Sequence, residues 1–198
     1  MKNHFSELAA VVLAAGSSKR FGKANKLHAK VEDESVVERV LNLVAQFPFQ
    51  RIVVVSSPGD EELEKVAVSY PVDLVCNEKS EQGIGTSVAT AVEALEESDV
   101  SGVVFFLGDL PFMKAESVAK IANAFVESKG THIVRANFSG QPGHPLVVPR
   151  DMFSELKMLD GDQGAGLLVR KYPARLLIVE TDDPGTIRDI DTPKDLGQ

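Results

Sequence analysis

Val11-Val12-Leu13-Ala14-Ala15-Gly16-Ser17-Ser18-Lys19-Arg20-Phe21-Gly22 is the segment from which the rest of this chain is read. An apolar run enters a stretch of small residues, hydroxyls and cations, the pattern of a buried strand that hands over to a loop at the edge of a sheet. Gly16 lets backbone N–H groups come close to an oxyanion. Ser17 and Ser18 add hydroxyl donors, and Arg20 adds a fork that fits phosphate. The spacing is neither Gly-Lys-Ser/Thr after four residues nor the GxGxxG dinucleotide fingerprint. Two readings stay open on these residues alone. The loop cradles a phosphate, or Gly16 turns the chain and Lys19 and Arg20 are solvated.

Outward from this segment, β-branched runs recur at residues 9–14, 51–56, 72–76, 102–107, 132–137, 145–148 and 176–180. Between them the apolar spacing turns helical, at residues 36–47, 60–70, 86–97 and 114–128. Ser35 stands where the first of these helices needs an N-cap, ahead of the stripe Val37, Val40, Leu41 and Val44. Strands alternating with helices predict an α/β fold whose mostly parallel sheet is covered on both faces. No repeat, low-complexity tract or Pro/Gly linker divides the chain, so residues 1–198 are expected to form a single domain. Residues 139–145 and 160–166 concentrate Gly and Pro and read as loops. In open α/β sheets ligands bind beyond the carboxyl ends of the strands, which directs the chemical reading to the connections there.

Composition narrows the partners. With 29 acidic against 21 basic side chains the net charge is −8, which argues against nucleic acid or an anionic membrane as the main surface partner. Any polyanion must be met by a local cationic site. The single cysteine, Cys76, has no partner for an intramolecular disulfide and fits a reducing compartment. No signal-peptide pattern opens the chain, and no apolar run approaches the roughly 20 residues that span a bilayer. A cytoplasmic location is expected.

Four polar residues beyond the first loop need a reading of their own. Asp109 follows the apolar strand Val103-Val104-Phe105-Phe106-Leu107, where a carboxylate can hold a hard cation or simply turn the chain before Pro111. Asp189 and Asp191 alternate across Ile190, so in an extended segment only one of them readily faces a shared site. Asp191 can also cap the helix that Thr192-Pro193 begins. His144, between Gly143 and Pro145, reads on its own as a surface histidine in a loop.

Six motifs in order resemble the MobA-like NTP transferases, in particular their molybdopterin cytidylyltransferase branch. The segment ending in Leu13-Ala14-Ala15-Gly16-Ser17-Ser18-Lys19-Arg20-Phe21-Gly22 is similar to the LAAGxSxRMG signature, with Phe21 in place of Met. Gln82-Gly83-Ile84-Gly85-Thr86-Ser87-Val88 is similar to QGxxxSV, and Gly108-Asp109-Leu110-Pro111 to GDxP. Pro142-Gly143-His144-Pro145, Gly161-Asp162-Gln163-Gly164-Ala165 and Asp189-Ile190-Asp191-Thr192-Pro193 resemble PGHP, GDxGA and DIDTP.

The resemblance implies a three-layer α/β/α Rossmann-like nucleotidyltransferase fold. The implied enzyme is magnesium-dependent and moves CMP from CTP to molybdopterin or its molybdenum-loaded form, with a molybdenum hydroxylase as a transient partner. Ala14-Ala15, in place of two glycines, resembles the CTP rather than the guanylyl branch. The implied catalytic residues are Arg20, Lys26 and Asp109. The nucleotide would lie against Leu13, Ala14, Ala15, Gly16, Ser17, Ser18, Arg20, Lys26, Gly83, Ser87 and Gly108. The acceptor would lie against Gln82, Pro142, Gly143, His144, Asp162, Gln163 and Gly164, and the metal on Asp109 and Asp191. Asn25 stands at the spacing where the family usually has its lysine, which leaves Lys26, with Lys23 as competitor. Gly164 would open a helix whose N-terminus receives an anion, with a turn and cap at Asp162 as the alternative. Thr86 or Ser87 could instead only cap the helix they precede. A sugar- or alditol-phosphate transferase on the same scaffold, or a non-catalytic cofactor-binding maturation factor, would be the rival readings.

Overall fold

A computed structural model describes residues 4–16, 21 and 25–197. Its elements in chain order are β1 (Leu8–Leu13), β2 (Lys30–Val31), β3 (Glu34–Ser35), α1 (Val36–Val44), β4 (Arg51–Ser56), α2 (Glu61–Ala67) and β5 (Asp73–Cys76). They continue with α3 (Ile84–Ala94), β6 (Gly102–Leu107), α4 (Ala115–Glu127), β7 (Ile133–Phe138), β8 (Gln141–Pro149), α5 (Phe153–Leu156), α6 (Gly166–Lys171) and β9 (Leu176–Glu180). Among the described residues, seven strands form one sheet in the order β5-β4-β1-β6-β8-β7-β9, and β2 and β3 form a separate ribbon. β1, β4, β5 and β6 are parallel, β8 runs antiparallel to both β6 and β7, and β9 is parallel to β7.

β1 sits mid-sheet, and Leu8 through Val12 are fully buried. Leu8, Ala10 and Val12 join one apolar core, and Ala9 and Val11 the other. A strand buried on both faces needs an unbroken apolar run rather than an alternating one, which is why residues 8–13 read as they do. α1 and α4 cover the first face, and α3, α5 and α6 the second.

α1 starts on a complete capping box. The Glu38 amide donates to Ser35 Oγ at 3.3 Å, and the Ser35 amide donates to Glu38 Oε2 at 2.6 Å. Together they satisfy two of the donors that a helix start leaves open. Ser35→Ala is expected to cost about 1 kcal/mol, read as a lower urea midpoint at unchanged m-value.

Two expectations are corrected. Residues 141–145 are not a loop. Ser139 and Gly140 both take positive φ, 50° and 81°, and close a two-residue hairpin in which Phe138 faces Gln141, so β8 begins at Gln141. Hairpin pairing of Gln141 and Pro142 with Phe138 and Asn137 of β7, and of Leu146 onwards with β6, extends the chain across Pro142-Gly143-His144-Pro145 despite its poor strand propensity. The helix expected from Gly164 begins at Gly166 and spans six residues. The Gly164 carbonyl accepts from the Leu167 amide at 2.9 Å in the turn before it. A helix this short, starting past Gly164, gives no basis for an N-terminal anion site there. α1, α2 and α3 end three residues before their patterns and α4 one, where end turns lie outside the regular ladder, while α3 starts two residues earlier than expected, at Ile84.

Candidate active site

Backbone hydrogen bonds hold the end of β1 to the ends of β6 and β4. The Gly108 amide donates to the Leu13 carbonyl at 3.0 Å, and the Ala14 amide donates to Val55 O at 2.9 Å. A Cβ on Gly108 would stand 3.1 Å from Leu13 O, so Gly108 permits the close approach of the two strands that sets Asp109 beside the first loop. Ala14 points into the core, whereas Leu13, Ala15 and Gly16 line a cleft of about 320 Å³ with Ile84, Ser87, Asp109 and Asp162. Ser17, Ser18, Arg20 and Lys23 lie outside the described residues.

Lys26 is the centre of the charge arrangement. Its Nζ is 2.6 Å from Asp109 Oδ2 and 3.1 Å from Asp191 Oδ1. Burial alone would lower the ammonium pKa, but hydrogen bonds and charge from Asp109 and Asp191 outweigh it, and the net shift is upward. The lysine is therefore a fixed cation at neutral pH. Asn25 places it there by starting a short 3-10 turn, Lys26–His28, in which its Oδ1 accepts from the Leu27 amide at 3.1 Å. The Asn25 amide donates to Asp60 Oδ2 at 3.1 Å, and His28 Nε2 lies 2.7 Å from Asp60 Oδ1.

The carboxyl-terminal segment arrives on the same centre. The Ile190 amide donates to the Asp109 carbonyl at 3.0 Å, and Ile190 is fully buried. Asp195 Oδ2 accepts from the amides of Asp191 and Thr192 at 3.2 and 2.7 Å. Asp195, not Asp191, thus satisfies the backbone donors ahead of the final 3-10 turn, and the Asp191 carboxylate turns to Lys26. Of the two carboxylates that flank Ile190, Asp191 is the one in contact with Lys26, as expected. Residues 188–192 are not part of a strand, so the alternation rule has no purchase. Burial, then the charges of Asp109 and Asp191, raise the Asp189 carboxyl pKa.

The glycine-rich loops meet across the cleft. Gly83 takes φ 123°, and a Cβ there would come within 2.2 Å of Gly161 O; the Gly85 amide donates to that same oxygen at 2.9 Å. The loop at residues 160–164 thus packs on the start of α3, with Gly164 against Ile84, while Asp162 and Gln163 are exposed. Ser87 does not cap α3. Buried Asn77 donates to Ser87 Oγ at 2.9 Å and to Thr86 Oγ1 at 2.8 Å, and Thr86 donates on to the Gly83 and Lys79 carbonyls. Asn77 is a positioning residue to which sequence reasoning gave no role. Its partners are nine and ten positions away, with only a strand end and a turn between. Gln82 is exposed and lines an adjoining groove of about 400 Å³ with Ala15, Ser57, Pro58 and Lys79.

Pro142, Gly143 and His144 lie on β8, with a cis bond between His144 and Pro145. His144 Nδ1 is 3.3 Å from the Phe105 carbonyl, which can only accept, so Nδ1 carries the hydrogen. Burial lowers the His144 pKa to about 4; the Phe105 bond and the Asp109 charge oppose the shift, and the Arg135 charge adds to it. The unfolded chain therefore takes up this proton first, near pH 6.5, and stability falls as the pH drops from there towards 4. Across that window the wild type is expected to lose up to about 3 kcal/mol that His144→Gln retains, measured by urea unfolding at each pH.

The description of the MobA-like NTP transferase domain matches residues 10–176. The chain belongs to the MobA-like NTP transferase family. Purine catabolism protein PucB of Bacillus subtilis (strain 168) is 28% identical over 95% of this MobA-like chain and 93% of its own length. The molybdenum cofactor cytidylyltransferase of Escherichia coli (strain K12) is 27% identical, with coverages of 96% and 94%. Rv0371c of Mycobacterium tuberculosis H37Rv superposes with a TM-score of 0.78 at 28% identity, covering 95% of this chain and 94% of its own. It has also been solved as a complex with manganese, at a TM-score of 0.75, 25% identity and coverages of 95% and 95%. The sheet with helices on both sides is the nucleotidyltransferase Rossmann-like fold. Among the described residues, no helix of this MobA-like transferase is long and apolar enough to cross a membrane.

Proposed function

We propose that this nucleotidyltransferase moves CMP from CTP to the terminal phosphate of molybdopterin or its molybdenum-loaded form and releases pyrophosphate. The observation that carries the reading is the convergence of Asp109 and Asp191 on one cationic centre, at the open end of the sheet and beside the first loop. A phosphate monoester oxygen is already a nucleophile near neutral pH, so no side chain has to deprotonate it. Positioning and charge neutralisation are what remain to be supplied. The acceptor oxygen forms a bond to the α-phosphorus as the bond to the β-phosphate oxygen breaks, and pyrophosphate carries away the bonding pair. Backbone amides near Gly16, with Arg20, hold the triphosphate, and Lys26 offsets the charge on the phosphates.

The donor set fits a divalent cation. Two carboxylate oxygens already face a single positive centre, and among the described residues no three acidic, His or Cys side chains form a closed cage. That matches magnesium, which takes one or two carboxylates and completes its shell with substrate phosphates and water. When bound by Asp109 and Asp191, the cation supplies Lewis-acid neutralisation of the transferred phosphoryl group. The manganese complex of Rv0371c and the E. coli cytidylyltransferase support the metal and the substrates. Titration with CTP against GTP in the presence of magnesium tests the donor. Tighter binding of CTP is expected, and equal or tighter binding of GTP would overturn the cytidylyl assignment.

A further inference from the structure

Arg135 is a cation inside an otherwise apolar strand, half-buried on β7. It follows Ile133 on the face covered by α3, α5 and α6, the face that Leu146 and Val148 of β8 also share. Such a group is normally paired. Its Nε donates to the Gly143 carbonyl at 3.3 Å, and among the described residues that is its one hydrogen bond; no carboxylate lies within ion-pair distance. The one charge that bears on it is another cation, Arg170 on α6, which itself makes no hydrogen bond or ion pair among the described residues. Burial, then Arg170, both work against the Arg135 charge. Four Nη hydrogens remain, with the parallel geometry that receives an oxyanion.

The neighbours sharpen the ligand. His144, next to Gly143, senses Arg135 and Asp109 and is neutral, so it adds no competing cation. β8 lies between β7 and β6, and two strand spacings, about 10 Å, separate the strand of Arg135 from the strand that ends at Asp109. Arg135 is held by the Gly143 carbonyl and Lys26 by Asp109 and Asp191, so the two cations are anchored at different points.

We propose that Arg135, anchored on the Gly143 carbonyl, forms a second anion subsite that holds the end of the acceptor opposite its reacting phosphate. The acceptor class is thereby narrowed to an extended molecule with two anionic ends, one at Lys26 and one at Arg135. The subsite rests on the transferase reading for its ligand, but its charge and geometry do not.

The test keeps the two apart. Inorganic phosphate and, separately, molybdate are titrated by calorimetry into the protein saturated with a non-hydrolysable CTP analogue. Filling the donor half in this way leaves the Arg135 subsite to be measured. One saturable site per chain is expected for each probe; a preference for molybdate points to a metal-oxo end, and parity to a phosphate-like end. Arg135→Gln should weaken both at least about 10-fold, Arg170→Gln less, and Arg135→Lys should retain part of the binding. With the true acceptor, Arg135→Gln should raise the acceptor KM by a similar factor and leave the KM for CTP unchanged. Wild-type affinity for both probes in Arg135→Gln, or no binding to the wild type, overturns the subsite. Failure of the CTP analogue to bind would defeat the cytidylyl reading while the Arg135 comparison still stands.

Discussion

Asp109→Asn lowers turnover by at least about 100-fold, or about 2.7 kcal/mol in the barrier, with little change in the urea midpoint. The carboxylate is 2.6 Å from Lys26 Nζ and is one of two that would hold the divalent cation. The amide that replaces it keeps the shape but loses the charge that anchors both. Folding is spared because the structural duty of this residue belongs to its backbone, whose carbonyl accepts from Ile190. Pyrophosphate release and urea unfolding on the same preparation check the two halves of the prediction. Turnover close to that of the wild type would remove Asp109 from the metal site.

Lys26→Met is the second large effect. It takes the ammonium from between Asp109 and Asp191, in a neighbourhood that Asp189 already shares. Turnover should fall by at least about 100-fold, because the transferring phosphoryl group loses a fixed cation. Stability at pH 7 should fall as well, by about 2 kcal/mol, since carboxylates are left facing one another in a half-buried site. The sign with pH follows. Lys26 opposes the upward shift of the Asp189 carboxyl pKa, so removing the lysine lets that pKa rise further, and the added repulsion is relieved as Asp189 protonates. The stability gap between variant and wild type should therefore narrow as the pH falls through the carboxyl range, in urea melts at pH 7 and pH 4. A constant gap would mean that Lys26 acts by packing alone.

The layered fold was legible because β1, β4, β6 and β9 are written as β-branched apolar runs, and α1 carries its cap in Ser35 and Glu38. β8 was not legible at its start. Gln141-Pro142-Gly143-His144 has loop composition, and its extended start comes from a hairpin closed by Ser139 and Gly140, with Gln141 and Pro142 paired to Phe138 and Asn137. The convergence of Lys26, Asp109 and Asp191 could be proposed from the motifs, since each stands beside a strand end or turn. Their contact could not, because it depends on Asn25 and Asp195 setting the local turns. Of Asp189 and Asp191, it is Asp191 that contacts Lys26, as expected, although the Ile190 bond to Asp109 rather than strand pairing positions the segment. Asn77 and Arg135 carried no signal. One is a polar residue after a strand and the other a cation within one, and what marks each is a neighbour supplied by another element.

Phosphoryl chemistry at the first loop and Asp109 is the central claim, and pyrophosphate release tests it most directly. Purified protein with magnesium, CTP and molybdopterin should release one pyrophosphate per acceptor consumed and form the cytosine dinucleotide, and omission of any component should stop both. Binding of the pterin without release of pyrophosphate would contradict the account and leave a cofactor carrier in place of an enzyme.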